Sequence, residues 1–404
     1  MTGLTFPVPD TRPSRFPTRL LLAGMFFLIF MGAGAQQAYV VPYLQRAAGF
    51  PALQAGTVIA TVYFSMMIFR VLNVYLFAGW SDRRFTIVGS LTYLMFTLVM
   101  LATAFVRSYP LAMAAAAAWG VGGAMMWTGT AMQTLALADG AQRAHGSRMG
   151  ALYAATEAGW MSGAILLGLV YRACDDAHLY AVYVVAAALT LLGVIVGTCL
   201  PATGPALRER PNLPALLATM ARGRTLIAGL LQLTSALSFG LVLGGLGAYV
   251  QAAYGPAWVW LAVAFYPATR MLVSVVSGHL FDRLGQTAVM CGGFAAGAAA
   301  LAIAAVWDSR LATIVMALGL GVLSSTVPVV ASAMVGVGAE IKRRPLVYGI
   351  VFSWRDLGVV SATVAVVLIG GQADFRTAFS VFIWVFLACA LLSLLLGRFG
   401  GQKM

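Results

Sequence analysis

The sequence predicts an all-α membrane protein, twelve transmembrane helices arranged as two pseudo-symmetric six-helix bundles. Three observations carry that expectation. The 404 residues are 61% hydrophobic and only 9% Asp, Glu, Lys or Arg, whereas an average soluble domain carries about 25% charged residues. The apolar residues gather into runs long enough to cross a bilayer, which takes roughly 20 residues of helix. Features of the first half also return in the second, as with Asp82 and Asp282, 200 residues apart. Barrel strands are excluded because they would be short and would alternate apolar with polar residues.

The first span covers 20–44. Arg12, Arg15 and Arg19 precede it, and Ala33-Gly34-Ala35 lies within it. That combination imitates a cleavable signal peptide. Apolar sequence continues to Leu44 and the next run follows almost at once, so an uncleaved first helix is the expectation. Spans two to six cover 53–77, 86–105, 109–135, 146–171 and 179–199. The longest weakly hydrophobic stretch comes next, with Pro201, Pro205, Pro211 and Pro214 around Arg208-Glu209-Arg210. It reads as a cytoplasmic linker over 201–225, dividing one six-helix bundle (1–200) from another (226–404). Spans seven to twelve cover 226–253, 258–280, 287–306, 311–337, 346–369 and 377–396.

The net charge of +13 invites a nucleic-acid reading, but position argues otherwise. Arg12, Arg15, Arg19, Arg83, Arg84, Arg143, Arg148, Arg208, Arg210, Arg222, Arg224, Arg283, Lys342, Arg343, Arg344, Arg398 and Lys403 fall on one side of the predicted spans. Arg46, Arg107, Arg172, Arg310 and Arg376 fall on the other. Seventeen against five is the positive-inside pattern and places both termini in the cytoplasm. The expected partner of this charge is lipid headgroups rather than nucleic acid. Cys174, Cys199, Cys291 and Cys389 show no C-x-x-C spacing and read as small buried hydrophobes. Cys174-Asp175-Asp176-Ala177-His178 has metal-ligand residue types at unremarkable spacing and reads as a polar loop, so no metal or cofactor is expected.

The halves repeat in detail. Ala78-Gly79-Trp80-Ser81-Asp82-Arg83-Arg84 follows the second span, and Gly278-His279-Leu280-Phe281-Asp282-Arg283-Leu284-Gly285 follows the eighth. At the same offset of 200, Arg70 falls on Arg270. At 199, Gly150, Glu157 and Gly159 fall on Gly349, Asp356 and Gly358. Acids, arginines and glycines repeating together indicate duplication.

On these motifs the sequence resembles the major facilitator superfamily over essentially its whole length. Gly278-x-x-x-Asp282-Arg283-x-Gly285 is similar to the family's loop signature between helices eight and nine. In the first-half copy, Ala78 and Phe85 stand where the glycines belong. Gly150-x8-Gly159-x3-Gly163 resembles part of the helix-five signature of drug–proton antiporters, although Ala164 occupies its proline position. The resemblance implies a gating role for Asp82, Arg83, Gly278, Asp282, Arg283 and Gly285. A carboxylate beside a helix terminus accepts charge-assisted bonds that can hold the cytoplasmic ends together in one state and release them in another. Simple loop capping is the alternative.

Five ionisable residues remain inside the spans: Arg70, Arg270, Arg355, Glu157 and Asp356. Charge near a bilayer centre costs about 3 kcal/mol or more, so intramembrane charges are functional candidates. Arg70 is 12 residues from Asp82, as Arg270 is from Asp282, which is about 18 Å of helix. Glu157 and Asp356 lie at about 13 and 18 Å from Arg148 and Arg344. All four therefore fall near the midplane of a core roughly 30 Å thick. Paired arginines suit a carboxylate-bearing or otherwise anionic solute, since the guanidinium fork matches such groups; they can also simply bind helix carbonyls. Glu157 and Asp356 are candidates for proton coupling, with a salt bridge to an arginine as the alternative. Arg355 and Asp356 are neighbours pointing about 100° apart and need not pair. Gln36, Gln37 and Tyr39, Trp127 and Thr130, and Tyr266 and Trp354 complete the expected lining.

The function expected is a secondary transporter of the inner membrane, not an enzyme. It would act as a functional monomer and export a small polar, carboxylate-bearing solute such as a siderophore or metabolite by alternating access. Protons would be the coupling ion, in the manner of an antiporter. Uptake or exchange of a small anion is the alternative, since midplane arginines in helices two and eight resemble those of nitrate/nitrite carriers. A membrane-embedded sensor fits less well. Nucleotide-driven transport is not expected, because neither Lys342 nor Lys403 follows a glycine as a phosphate-binding loop requires.

Overall fold

A computed structural model describes residues 17–140, 144–201, 212–242, 246–254, 259–370 and 375–398. These residues form helices and no strand. The first span is two helices, α1 (Thr18–Ile29) and α2 (Gln37–Arg46), joined by a π turn at Phe30–Gly34. The cause is local. The Ala33 N–H donates to the Thr190 hydroxyl at 2.9 Å instead of continuing the helix ladder. Gly32 lets the chain approach closely, since a Cβ there would collide with the Ala186 carbonyl and Thr190. A π turn is the usual result of one helical bond diverted in this way.

Single helices follow: α3 (Ala52–Leu76), α4 (Asp82–Val106), α5 (Tyr109–Asp139), α6 (His145–Ala173) and α7 (Ala181–Thr198). Ser81 and Ser108 cap α4 and α5 by accepting from Arg84 N and Leu111 N, which satisfies first-turn donors that have no partner within the helix. A short helix, α8 (Leu213–Ala221), capped by Asn212, lies inside the stretch read as linker; residues 202–211 are outside the described residues. The seventh span is α9 (Gly223–Leu241) and α10 (Gly247–Tyr254). It is followed by α11 (Val259–Leu284), α12 (Gln286–Val306), α13 (Arg310–Gly338), α14 (Arg344–Gly370) and α15 (Phe375–Arg398). The fold is thus the predicted twelve-span helical one. Eight helices are long and apolar enough to cross a membrane among the described residues. Side chains such as Phe64, Leu191, Leu272, Trp384 and Leu391 turn outward, as a lipid-facing surface requires.

In the first half, α5 packs against α3 and α4; in the second, α13 packs against α11 and α12. The halves meet along two seams, α6 on α11 and α3 on α14. Small residues set both. A Cβ on Gly146 would collide with the Gly278 carbonyl, one on Gly278 with the Gly146 carbonyl, and one on Gly349 with the Arg70 carbonyl. Close backbone approach through glycine is how apolar helices associate where lipid removes any hydrophobic preference for each other.

The Asp-Arg segments differ from the loops expected of them. Asp82 is the first residue of α4, and Arg83 follows it within the helix; Asp282 and Arg283 lie in the last turn of α11. The duplicated residues therefore sit on opposite sides of their turns. In the second half the turn shrinks to Gly285, whose φ of 80° favours glycine.

Candidate solute site between the halves

The four midspan charges pair across the two seams. The Arg70 Nε donates to Asp356 Oδ2, and Arg70 Nη2 to Asp356 Oδ1 at 3.4 Å, joining α3 to α14. The Arg270 Nη2 lies 2.6 Å from Glu157 Oε1, joining α11 to α6. Arg70 and Asp356 are 1% and 0% exposed, and Arg270 and Glu157 4% and 2%. The adjacent residues Arg355 and Asp356, which helix geometry left free to pair or not, do pair: Arg355 Nη1 lies 3.2 Å from Asp356 Oδ1. The long guanidinium reaches back along the helix and rests 5.7 Å from the Phe239 ring.

Arg70, Glu157, Arg270 and Arg355 line a central cavity of about 40 Å³, room for a few waters and, in this state, too little for an organic solute. Helices α3 and α6 supply Val62, Tyr63, Met66 and Arg70, and Tyr153, Thr156, Glu157 and Trp160. Phe30 and Gln37 come from the first span, Tyr93 from α4, and Trp119 and Trp127 from α5. The second half adds Phe239, Arg270, Phe352 and Arg355. Phe239 is central. Its ring meets Tyr63 and Trp160 edge-on and stacks near Tyr266. The Arg270 guanidinium sits 5.2–5.4 Å from Phe239, Tyr266 and Trp160, an aromatic cradle worth about 0.5–2 kcal/mol per cation–π contact.

Several polar atoms facing this region have no hydrogen-bond partner among the described residues: Arg70 Nη1, Arg270 Nε and Nη1, Trp119 Nε1 and Glu157 Oε2. A buried polar atom without a partner costs about 1–3 kcal/mol. The residues that carry them line one cavity, so a rearrangement that opens it would bring these atoms to a ligand.

Of the expected lining residues, Arg70, Arg270, Arg355, Glu157, Gln37 and Trp127 line the cavity, and Asp356 sits directly behind Arg70. The others lie elsewhere for identifiable reasons. Gln36 turns to α4 and donates to Thr97 at 2.9 Å. Tyr39 donates to the Ala164 carbonyl, Thr130 lies 3.4 Å from the Thr86 hydroxyl, and Trp354 packs over Gly229. Tyr266 supports Arg270 as part of its cradle without lining the cavity. Helix spacing holds the signal for several lining residues that the sequence reading missed. Tyr63 and Met66 precede Arg70 by seven and four residues, and Tyr153 and Trp160 flank Glu157 by four and three, positions that share a helix face. No comparable signal marks Tyr93, Trp119 or Phe239, whose helices carry no midspan charge.

Two further ties join the halves at the end of the bundle that bears the Asp-Arg segments. Ala144 precedes α6 and has no side chain able to cap it. Asp282 of the other half caps it instead, accepting from Gly146 N at 2.9 Å, Ser147 N at 2.8 Å and the Ser147 hydroxyl at 2.6 Å. The helix dipole and charge assistance favour this arrangement. Asp139, at the end of α5, accepts from Arg344 at 2.5 and 3.1 Å and contacts His145 at 2.9 Å; Arg344 also donates to the Gly336 carbonyl at 2.6 Å. Arg83 instead bonds the Thr198 carbonyl within its own half. Arg283 is exposed at the end of α11.

The family model of the Major Facilitator Superfamily matches residues 22–337, and the chain belongs to that superfamily: it is a membrane transporter. Among solved structures it is similar to FucP, a superfamily transporter in the outward conformation, at 17% identity over 96% of this chain and 100% of that one, with a TM-score of 0.74. It is similar to the E. coli fucose:proton symporter at 16% identity over 95% and 98%, with a TM-score of 0.73. It is also similar to a bacterial homologue of the iron transporter ferroportin, outward-facing with soaked iron, at 12% identity over 96% and 100%, with a TM-score of 0.71. At these identities the likeness is one of fold. No curated protein sequence matches the chain.

Proposed function

We propose that the chain is a proton-coupled carrier of a small carboxylate-bearing organic solute, working by alternating access from the cavity between its halves. The observation that carries this reading is the pair of buried salt bridges, Arg70–Asp356 and Arg270–Glu157, each with one partner in either half. Rocking of the halves must break or loosen at least one of them, and a separated buried charge costs about 3–5 kcal/mol unless it finds a new partner. A solute carboxylate can take the place of an acid on the arginines, and a proton can neutralise the acid released. Three arginines and two acids leave a balance of 3 − 2 = +1 at the site, which favours an anion.

The Asp282 cap on α6 and the Arg344–Asp139 pair are the ties that hold one end shut while the other opens. Seventeen basic residues on that side favour its being cytoplasmic, in the inner membrane of a bacterial-type cell, with a monomer as the working unit and both bundles (residues 1–200 and 226–404) moving about the site. Export is the direction favoured by the partial helix-five signature at Gly150, Gly159 and Gly163.

Proteoliposomes holding the pH dye pyranine test this reading. They are challenged with a panel of small carboxylates, with fucose and ferrous iron as controls. Proton movement accompanying a carboxylate is expected, and it should be lost in Arg70→Lys and Arg270→Lys at unchanged protein abundance. Transport of fucose or iron with no carboxylate moving would overturn it.

A further inference from the structure

The composition of the cavity wall narrows the solute further. Nine of its seventeen lining residues are aromatic, against 11% aromatic in the whole chain. Lipid anchoring does not explain them, because they face inward: Tyr93 is 2% exposed and Trp119 1%. They surround the arginines. Trp127 stacks on Tyr153 with centroids 5.5 Å apart, and Trp160 and Phe239 flank the Arg270 guanidinium. The cavity therefore combines an aromatic wall with a cationic one.

The polar inventory is one-sided. Among the described lining residues, the fully buried polar atoms without a partner are donors on Arg70, Arg270 and Trp119, with Glu157 Oε2 as the acceptor. A polyol needs acceptors as much as donors. The hydroxyl of Tyr63 is already committed to Gln37 at 2.6 Å, and that of Thr156 to the Leu152 carbonyl at 3.0 Å. A soft or divalent metal needs His, Cys or several carboxylates, and the described lining offers one carboxylate and Met66.

Resting on the carboxylate reading, we infer that the solute is an aromatic carboxylate. When the halves part and the small cavity widens, its acid group binds the donors of Arg270 and Arg70, and its planar ring lies against the rings of Trp160 and Phe239. The Arg270 guanidinium already lies against the rings of Trp160 and Phe239, and a planar ring makes the same kind of contact.

Calorimetric titration of the purified full chain in detergent tests this, using benzoate, phenylacetate and indole-3-acetate beside cyclohexanecarboxylate, benzyl alcohol and fucose. At least one aromatic acid is expected to bind roughly tenfold or more tighter than cyclohexanecarboxylate, the scale of ring–ring contacts expressed as affinity. Benzyl alcohol and fucose should not compete. Trp160→Leu should narrow the gap between aromatic and saturated acids, and Trp160→Phe should restore it. The wild-type ligand comparison stands even if a variant misfolds. Equal binding of saturated and aromatic acids overturns the aromatic inference while leaving the carboxylate reading intact. Binding of benzyl alcohol or fucose alone overturns both. A chain that binds none of the aromatic acids overturns the inference, and proton flux with the other carboxylates then decides the parent reading.

Discussion

The two seams carry the same kind of ion pair in different surroundings. On α3 and α14, Asp356 is enclosed: Arg70 occupies both of its oxygens, and Arg355 adds a third donor at 3.2 Å. On α6 and α11, Glu157 makes an ion pair with Arg270 and feels Arg355 only from farther off, and its Oε2 has no hydrogen-bond partner among the described residues. Arg270 in turn depends on three aromatic rings where Arg70 has Phe352. One residue makes most of the difference. Arg355 stands where the first half has Thr156, whose hydroxyl only bonds its own helix. Duplication supplied two equivalent pairs, and this substitution turned one into a clamp while leaving the other able to give up its partner. We propose that Glu157 is the proton-coupling acid and that Asp356 holds α3 to α14.

Amide substitutions break the comparison most directly. Asp356→Asn leaves the buried Arg70 guanidinium and the half-buried Arg355 facing a neutral partner and should cost about 3–5 kcal/mol, read as a fall in melting temperature and in protein recovered from the membrane. Glu157→Gln should cost less, about 3 kcal/mol, because one guanidinium rather than two loses its charged partner and the aromatic cradle still holds Arg270. That variant should keep carboxylate exchange in proteoliposomes and lose accumulation driven by a pH gradient. Arg355→Thr makes the second half resemble the first. It should cost about 1–2 kcal/mol, the scale of one bond between charged groups, and should bring the penalty of Asp356→Asn toward that of Glu157→Gln. The smallest effect is expected at the closed end. Asp282→Asn removes the charge from the cap on α6, costs about 1 kcal/mol, and should raise labelling of a cysteine placed at Ser147 by a membrane-impermeant thiol reagent. Unchanged labelling would show that this cap does not hold the gate.

Much of this arrangement was legible in the sequence because charge in an apolar helix is rare and helix rise is regular. Arg70, Arg270, Glu157 and Asp356 stood out for the first reason and fell near one depth for the second. Their pairing across the halves was not legible, since it depends on which helix packs on which. The π turn in the first span was hidden as well, because its cause, Thr190, lies 157 residues away from Ala33. Gln36 shows the limit of reading polarity alone: it is polar and midspan, yet a one-residue difference from Gln37 turns it toward Thr97 and away from the cavity. The aromatic wall was hardest to see. Trp and Tyr are common in membrane helices for other reasons, and only the folded bundle separates rings that face the cavity from rings that face lipid.

Infrared difference spectroscopy on the reconstituted chain tests the division of labour between the two acids without needing the solute. Acidifying the wild type should produce the carbonyl-stretch band of a buried protonated carboxyl group, and Glu157→Gln should remove it. A band that persists in Glu157→Gln would contradict the account and return the proton to Asp356 or to another acid.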